Sequence, residues 1–581
     1  MNQHRSYDRG DDQPVAEGDG AFLGVDLRRD PGQLEPGLLA DAVNLRFREG
    51  RAAPRRGIRL LAWGARHEAG YGPGDVLPYG NVAGAGVFND PLGSGQWLII
   101  ATTSGVFKAR PGTTGSAMPL PSGFTIPERV QIIQTFSGLV MLRGADLDPI
   151  FCNDLDVGWR ALPVADSGKV PLPPSSNGVY FQNRLFVINE DDDPDVKDGV
   201  FVSDFGTVND ALQGDALYNN FRINQGSRDS LVGLYRFNDT TLLCFKEDSV
   251  YVVANVSGVN SDINTNAQLD AVTTEYGLRA PKAVVQVGND VWFLAHRRGV
   301  CSIRQTEQNK LQGVDVPVSR DIDPLIKRIN WQHAGNATMA FWDNKVYVAV
   351  PLDDADYNNT VLVFDTVTQR WAGRDTSAML QVFDWLKLSY AGETRLIYVS
   401  DDGYICLYED GYHDQVPAAL GQWTMTPIAT SLLTRGYGGQ VIGRKRFTQA
   451  RVSLRTWNPE YTVGYRTDGV NEAETLVADV TADRTEYLRP HDAAAYDPEN
   501  PDDDHATPYR ADYSVDVDDD GVNFGTAGLD VDRHQETERA WRLRVQGRYV
   551  QVEMTGTQGR TEVAGVGLEI IRGSPRFGQQ V

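Results

Sequence analysis

Cysteine is scarce, with four in 581 residues, and Cys152, Cys244, Cys301 and Cys406 stand dozens of positions apart. No C-x-x-C pair occurs and no histidine lies at ligand spacing, so a metal or redox centre built on them is disfavoured. Cys244, Cys301 and Cys406 sit in apolar, strand-like runs, where a thiol behaves as a small hydrophobe. Long apolar runs are missing too. None approaches the roughly 18–20 residues that span a bilayer, and the opening MNQHRSYDRGDDQPVAEGDG has no apolar signal-peptide core. The expectation is a chain with no membrane span, made and kept in a cytoplasm until assembly. Catalytic grammar is equally thin: there is no G-x-x-x-x-G-K-[ST], no G-x-S-x-G, no H-E-x-x-H, and no G-x-G-x-x-G after a strand. The eight histidines are scattered. Glycoside hydrolysis needs only two carboxylates and leaves no local signature, but 78 acidic residues make every candidate pair uninformative. The reading is a non-enzyme without an organic cofactor. Positive charge is in deficit as well: 55 basic residues give a formal net charge of −23, which excludes general electrostatic adhesion to nucleic acid.

What is present is a foldable composition, 41% hydrophobic and 9% aromatic, too apolar for a disordered chain. The length calls for more than one core. Between residues 79 and 415 a unit recurs every 40 to 50 residues: an apolar strand, a turn, a second apolar strand and a polar stretch. Examples are GQWLIIATTSGVFKA (95–109), NGVYFQNRLFVIN (177–189), AVVQVGNDVWFLAHRRGVCSI (283–303) and ATMAFWDNKVYVAVPL (337–352). Period-2 alternation of β-branched and aromatic residues, closed by turns such as Asp343-Asn344, reads as hairpins. Units of this kind must stack to bury both faces, which predicts an all-β chain whose body is a β-propeller of about seven blades, with a set of β-sandwiches as the alternative that the same strands allow. After Trp423 the strands lengthen, predicting a β-sandwich or jelly-roll-like domain over 425–573 with an acidic insertion at 490–535. Residues 1–78 read as an arm and docking segment, and 574–581 as a tail.

Two charge clusters stand out. Arg46, Arg48, Arg51, Arg55, Arg56 and Arg59 share a short segment with only Glu49 against them. They form either a docking surface for an acidic partner or a set of solvated side chains. Between His491 and Asp532 lie 13 acidic residues and one basic, Arg510. Within that stretch Asp516, Asp518 and Asp520, followed by Gly521, match the opening of a calcium loop, although Ala527 stands where a bidentate Glu is expected. The run reads as a Ca2+ site or as a solvated acidic turn.

Four segments, in this order, carry a family resemblance: GVDLRRDPGQLEPGLLADAVNLRFREGRAAPRRGIRLL; YFQNRLFV followed by VSDFG; TEYGLRAPKAVVQVGNDVWFLAHRRGVCSI; and WDNKVYVAVPLDDADYNNTVLVFDTVTQRW. The chain resembles the tail nozzle and hub proteins of short-tailed bacteriophages, the tail tubular protein B-like family. The resemblance implies a virion tail protein that forms a homo-hexameric ring below an adaptor ring, contacts tail fibres or spikes, and lets DNA pass without sequence-specific binding. It spans about residues 21–411 and has no counterpart for the acidic stretch. For such a conduit, walls that are acidic or neutral are expected, because each inward cation would hold DNA by counterion release. Stretches 190–230 and 490–535 are the expected plugs. The competing reading is a receptor- or glycan-binding propeller that stacks Trp and Tyr on sugar faces.

Overall fold

The computed structural model describes residues 15–61, 81–90, 95–110, 116–189, 198–204, 212–214, 220–224, 226–227, 229–254, 256, 267–312, 316–419, 422–439, 444–468, 474–481 and 535–571. Local chemistry sets the hairpins. At Asp343-Asn344 both φ values are positive, 47° and 56°, and at Gln182-Asn183 they are 53° and 57°, the left-handed pair that joins right-twisted strands in two residues. Residues Lys345–Val350 are buried throughout, because a middle strand in a stack of sheets is covered on both faces. Each Val or Leu so buried contributes roughly 1.5–3 kcal/mol.

The chain is an all-β propeller followed by a C-terminal β domain. Its blades are antiparallel sheets taken in chain order, except that the last also holds Ile58–Leu60, which runs parallel to His413–Ala419. The first four have four strands each, beginning with Val82–Asn89, Gln131–Gln134, Gly178–Phe181 and Leu231–Arg236. The fifth has three, from Val284–Val287 to Gly299–Ser302. Thr338–Trp342 through Arg370–Thr376 form the next unit, whose sheet runs on into the C-terminal strands. The last is the six-stranded sheet of Val382–Tyr390, Glu393–Ser400, Ile405–Tyr408, Ile58–Leu60, His413–Ala419 and Gln422–Pro427.

The ring closes on itself. Neighbouring units are tied in turn by Val130 N to Ala83 O (2.9 Å), Gly178 N to Gln131 Oε1 (2.8 Å) and Leu234 N to Asn177 Oδ1 (2.8 Å). Gln286 N to Tyr235 Oη (2.9 Å), Met339 N to Lys282 O (3.0 Å) and Asn358 Nδ2 to Val382 O (2.7 Å) continue the series. Ser389 N to Gln96 Oε1 (2.6 Å) completes it.

The N-terminal segment is part of both halves. Ile58–Leu60 lies antiparallel to Ile405–Tyr408, so the last sheet joins strands from opposite ends of the body. Leu38–Val43 sits between Arg370–Thr376 and Thr430–Thr434, and Val15–Asp19 flanks Val550–Ile571. Within the segment 1–78, read from sequence as an arm and docking segment, residues 15–60 supply strands to the propeller and the C-terminal sheet. In that sheet Lys445–Thr467 pairs with Val550–Ile571, and with Gln535–Gly547 and Glu474–Thr481 on its other edge. Ala450, Val452 and Leu454 alternate into its core.

A helix, Ile303–Gln312, follows the third strand of the fifth sheet. Ser302 begins it, its hydroxyl accepting from Gln305 N at 3.0 Å. Among the described residues no helix is long and apolar enough to cross a membrane.

Candidate functional site at the propeller axis

The innermost strands converge on a cavity of about 470 Å³, a volume typical of small-molecule sites. Glycine makes the convergence possible. A Cβ at Gly84 would stand 2.5 Å from Val130 O, and one at Gly86 2.9 Å from Ile132 Cβ, so the first two blades approach more closely than any side chain allows.

Arg129 and Lys282 reach this cavity from the segments just before Gln131–Gln134 and Val284–Val287, while Asp384 and Lys387 belong to the strand Val382–Tyr390 itself. Lys282 Nζ pairs with Asp384 Oδ2 at 2.7 Å and lies over the Phe383 ring at 4.7 Å. Arg129 donates from Nη1 to Gly335 O at 3.0 Å. Lys387 sits over Phe341, 5.9 Å from the ring centre. Neither Arg129 nor Lys387 has a carboxylate within 4 Å among the described residues. The protein packed around Arg129 lowers its pKa, with Asp401 opposing the shift, and desolvation lowers that of Lys387. Asp401 is shifted the other way for an acid, upward, by burial first and then by Asp402 and Asp356.

Asn358 is a buried strut. Its Nδ2 donates to Asn336 O and Val382 O, both at 2.7 Å, while its Oδ1 has no partner. Trp385 Nε1, also in the cavity wall, is a second buried polar atom without one. Unpaired groups of this kind cost about 1–3 kcal/mol each in a sealed site. The walls of this cavity carry the cations Arg129, Lys282 and Lys387 and the carboxylates Asp384 and Asp401. The cations arrive singly, from three separate blades, which composition could not reveal.

The arginine cluster divides. Arg46 and Arg55, 3% and 1% exposed, are consumed within the chain and present nothing to a partner. Arg46 Nη1 and Nη2 reach Asp375 at 2.9 and 2.5 Å, and its Nε reaches Glu409 at 2.7 Å. Arg55 is bidentate to Asp414. Two desolvated guanidiniums need carboxylates, and blades from the far end of the body supply them. Docking by these two is therefore corrected to internal clasping. Arg48 ends a strand beside the left-handed turn at Glu49-Gly50 and is exposed; Arg51 begins the return strand, partly buried. Arg56 is exposed, with its backbone N–H donating to Glu409 Oε2. Arg59 is 3.7 Å from Asp410. Sequence reasoning missed Asp375, Glu409 and Asp414 as partners, since nothing local marks them.

Asp516, Asp518 and Asp520 lie outside the described residues, as does most of 490–535 and part of 190–230. Among the described residues no group of three or more His, Cys, Asp or Glu is arranged to hold a metal. All four cysteines are buried and form no disulfide, and for Cys244, Cys301 and Cys406 the burial is what their apolar runs implied.

No protein-family model matches the chain, and no curated protein matches its sequence. Among solved structures it is similar to the extracellular domain of a hybrid two-component system from B. thetaiotaomicron, at 11% identity and a TM-score of 0.38. That match covers 61% of this chain and 42% of the other, so the chain spans less than half of that protein's length. It is also similar to the WD40 β-propeller domain of Doa1 (8% identity, TM-score 0.36, covering 61% of this chain and 97% of that one). A third is YCF48 bound to D1 peptide (11%, 0.35, 57% and 93%). Similarity at this level assigns no function.

Proposed function

We propose that this chain is a structural subunit of a short phage tail, a nozzle or hub that assembles as a homo-hexameric ring in the host cytoplasm and resides in the virion tail. The observation that carries the reading is mechanical. Strands from residues 15–60 are hydrogen-bonded into both the propeller and the C-terminal sheet, so the two halves share one fourteen-stranded sheet and no simple hinge divides them. A part that contains pressurised DNA benefits from such continuity; a tethered recognition module does not need it. The order of the family-like segments supports the same reading. In this reading the conduit runs between subunits, because the cavity on the propeller's own axis is sized for a small molecule. DNA then passes without sequence-specific contact, and the adaptor ring and tail fibres or spikes are the expected partners.

Native mass spectrometry with negative-stain imaging of the purified protein tests the proposal. A closed ring of six subunits is the expected result, and a monomer at every concentration, with no binding to virion tails, overturns it. The second reading, a receptor- or glycan-binding propeller, is favoured by one observation: the axial cavity with its convergent polar groups.

A further inference from the structure

We propose that Lys246 and Asp198 join in a covalent isopeptide bond, with Asp229 relaying the proton, so that the folded chain cross-links its third and fourth blades. The site stands apart from ring assembly and does not depend on it.

Placement brings the three side chains together. Asp198 stands just before Gly199–Val202, the third strand of the third blade, and Lys246 ends Thr241–Lys246, the second strand of the fourth. Asp229 lies between them, in the segment that leads into Leu231–Arg236. The backbone of both reacting residues is pinned: Asp198 O accepts from Ile223 N, Lys246 N donates to Ser249 O, and Lys246 O accepts from Leu278 N, each at 2.9 Å. Lys246 is 0% exposed and Asp198 4%, so bulk water competes for neither.

Lys246 Nζ is 3.2 Å from Asp198 Oδ1 and 3.3 Å from Asp229 Oδ1. The two contacts differ in kind. Nζ donates hydrogen bonds to Asp229 Oδ1 and Ser227 Oγ, whereas Asp198 Oδ1 is a buried acceptor with no hydrogen bond at all. Amine and carboxyl therefore touch without being locked in a hydrogen bond, and holding two reacting groups at such a distance removes most of the entropy cost of joining them. Asp229 is aimed by Ser249 Oγ, which donates to its Oδ2 at 2.5 Å. Burial raises the pKa of Asp229, but hydrogen bonds from Ser227 and Ser249 and then the Lys246 charge outweigh it and hold the carboxyl below its usual range. Asp229 is thus the carboxylate that stays ionised and serves as base.

One ammonium faces two carboxylates. Moving a proton from Nζ to Asp198 leaves an amine, a carboxylic acid and the Asp229 carboxylate, with no change in net charge. Nζ then attacks Asp198 Cγ, while Asp229 takes a proton from Nζ and returns it to the departing hydroxyl. The Nζ–Cγ bond forms, a Cγ–O bond breaks, one water leaves and Asp229 is regenerated, with no oxidant or co-reactant. A neutral amide replaces a buried ion pair, which removes the desolvation cost of two charges.

The test is the intact mass of the purified full chain, with Lys246→Met and Asp229→Asn beside it and melting curves as the folding check. The wild-type chain is expected to be lighter than its sequence by about 18 Da, one water. Trypsin should leave it uncut at Lys246 and release residues 198–222 joined to 237–279. Both variants should carry their full sequence mass. A wild-type chain at full mass overturns the proposal and leaves the three residues as a buried ion pair. A loss of one water without the joined peptide, or one that persists in Lys246→Met, overturns it too, since an aspartyl succinimide loses the same mass. Complete linkage in folded Asp229→Asn removes Asp229 from the relay.

Discussion

Arg55 and Asp414 meet across 359 residues of chain in a bidentate pair, Nη1 to Oδ1 at 2.8 Å and Nη2 to Oδ2 at 2.6 Å. Both are buried, and Asp414 Oδ1 also accepts from Ile58 N at 3.1 Å. The pair therefore sits where the N-terminal strand enters the last sheet and closes the ring.

Removing one partner strands a buried charge, a loss of about 3–5 kcal/mol, whereas replacing both with apolar groups of similar volume is far milder. Arg55→Ala and Asp414→Ala are expected to lower the melting temperature sharply, and Arg55→Met with Asp414→Leu to recover most of it. Equal melting of wild type and the single variants would show that the ring does not depend on this pair.

Gly84 tests the close approach of the first two blades. A Val side chain there would begin 2.5 Å from a backbone oxygen that cannot move alone, so Gly84→Val is expected to separate the blades. Overpacking of this kind costs typically 1–3 kcal/mol or more. Denaturant midpoints measure it, with Gly20→Ala, where a Cβ meets nothing and the backbone has no left-handed φ, as the control.

The hairpins were legible because their signals are local. YFQNRLFV and WDNKVYVAV carry both the alternating strands and the turn residues that tolerate positive φ. The strand at Ile58–Leu60 was not, since three residues have no periodicity and their partner lies beyond residue 400. The helix at Ile303–Gln312 has a polar sequence with a weak apolar stripe; its one signal was Ser302 followed by Gln305, a capping pair. Of the site, the sequence showed Arg46 to Arg59 as a cluster but could not sort them. Which guanidinium is buried depends on carboxylates brought from Asp375, Glu409 and Asp414 by tertiary packing. The cavity residues Arg129, Lys282 and Lys387 come from three blades and no spacing unites them.

Alkaline pH should destabilise the fold. Burial pushes the thiols of Cys152 and Cys406 up to about 12 and that of Cys244 further, and burial likewise raises Tyr347, Tyr398, Tyr408 and Tyr437 well above the usual phenol range. For a free thiol near ~8.5 the unfolded chain releases its proton first, so the folded state holds more protons and stability falls as pH rises. The effect is absent below about pH 8. It grows as pH climbs towards 12, where Cys152 and Cys406 begin to ionise in the folded state. Urea midpoints across pH 7 to 11 should decline above about 8.5, and the native protein should resist thiol reagents at pH 8 until unfolded. A flat profile, or rapid labelling of the native chain, would contradict this account.

The exposed arginines separate folding from assembly. Arg48 and Arg56 contribute guanidiniums to the surface, while Arg46 and Arg55 hold the N-terminal segment in place. An exposed charge contributes little to a monomer's stability, about 0–1 kcal/mol even when paired. At an interface the same guanidinium can take a carboxylate in a planar, bidentate, partly desolvated pair, where it contributes more. Under the proposed ring assembly, a second copy of this chain, with its net charge of −23, offers many such carboxylates. The double variant Arg48→Ala with Arg56→Ala is therefore expected to melt within a degree or two of wild type, yet to form rings at a higher protein concentration, with the difference shrinking as salt screens the pairs. Arg46→Ala should behave oppositely, losing thermal stability before any question of assembly arises. Melting curves and mass photometry on the same samples read both effects. Ring formation by the Arg48/Arg56 variant at wild-type concentration, in low and high salt alike, would leave these two side chains as solvated surface.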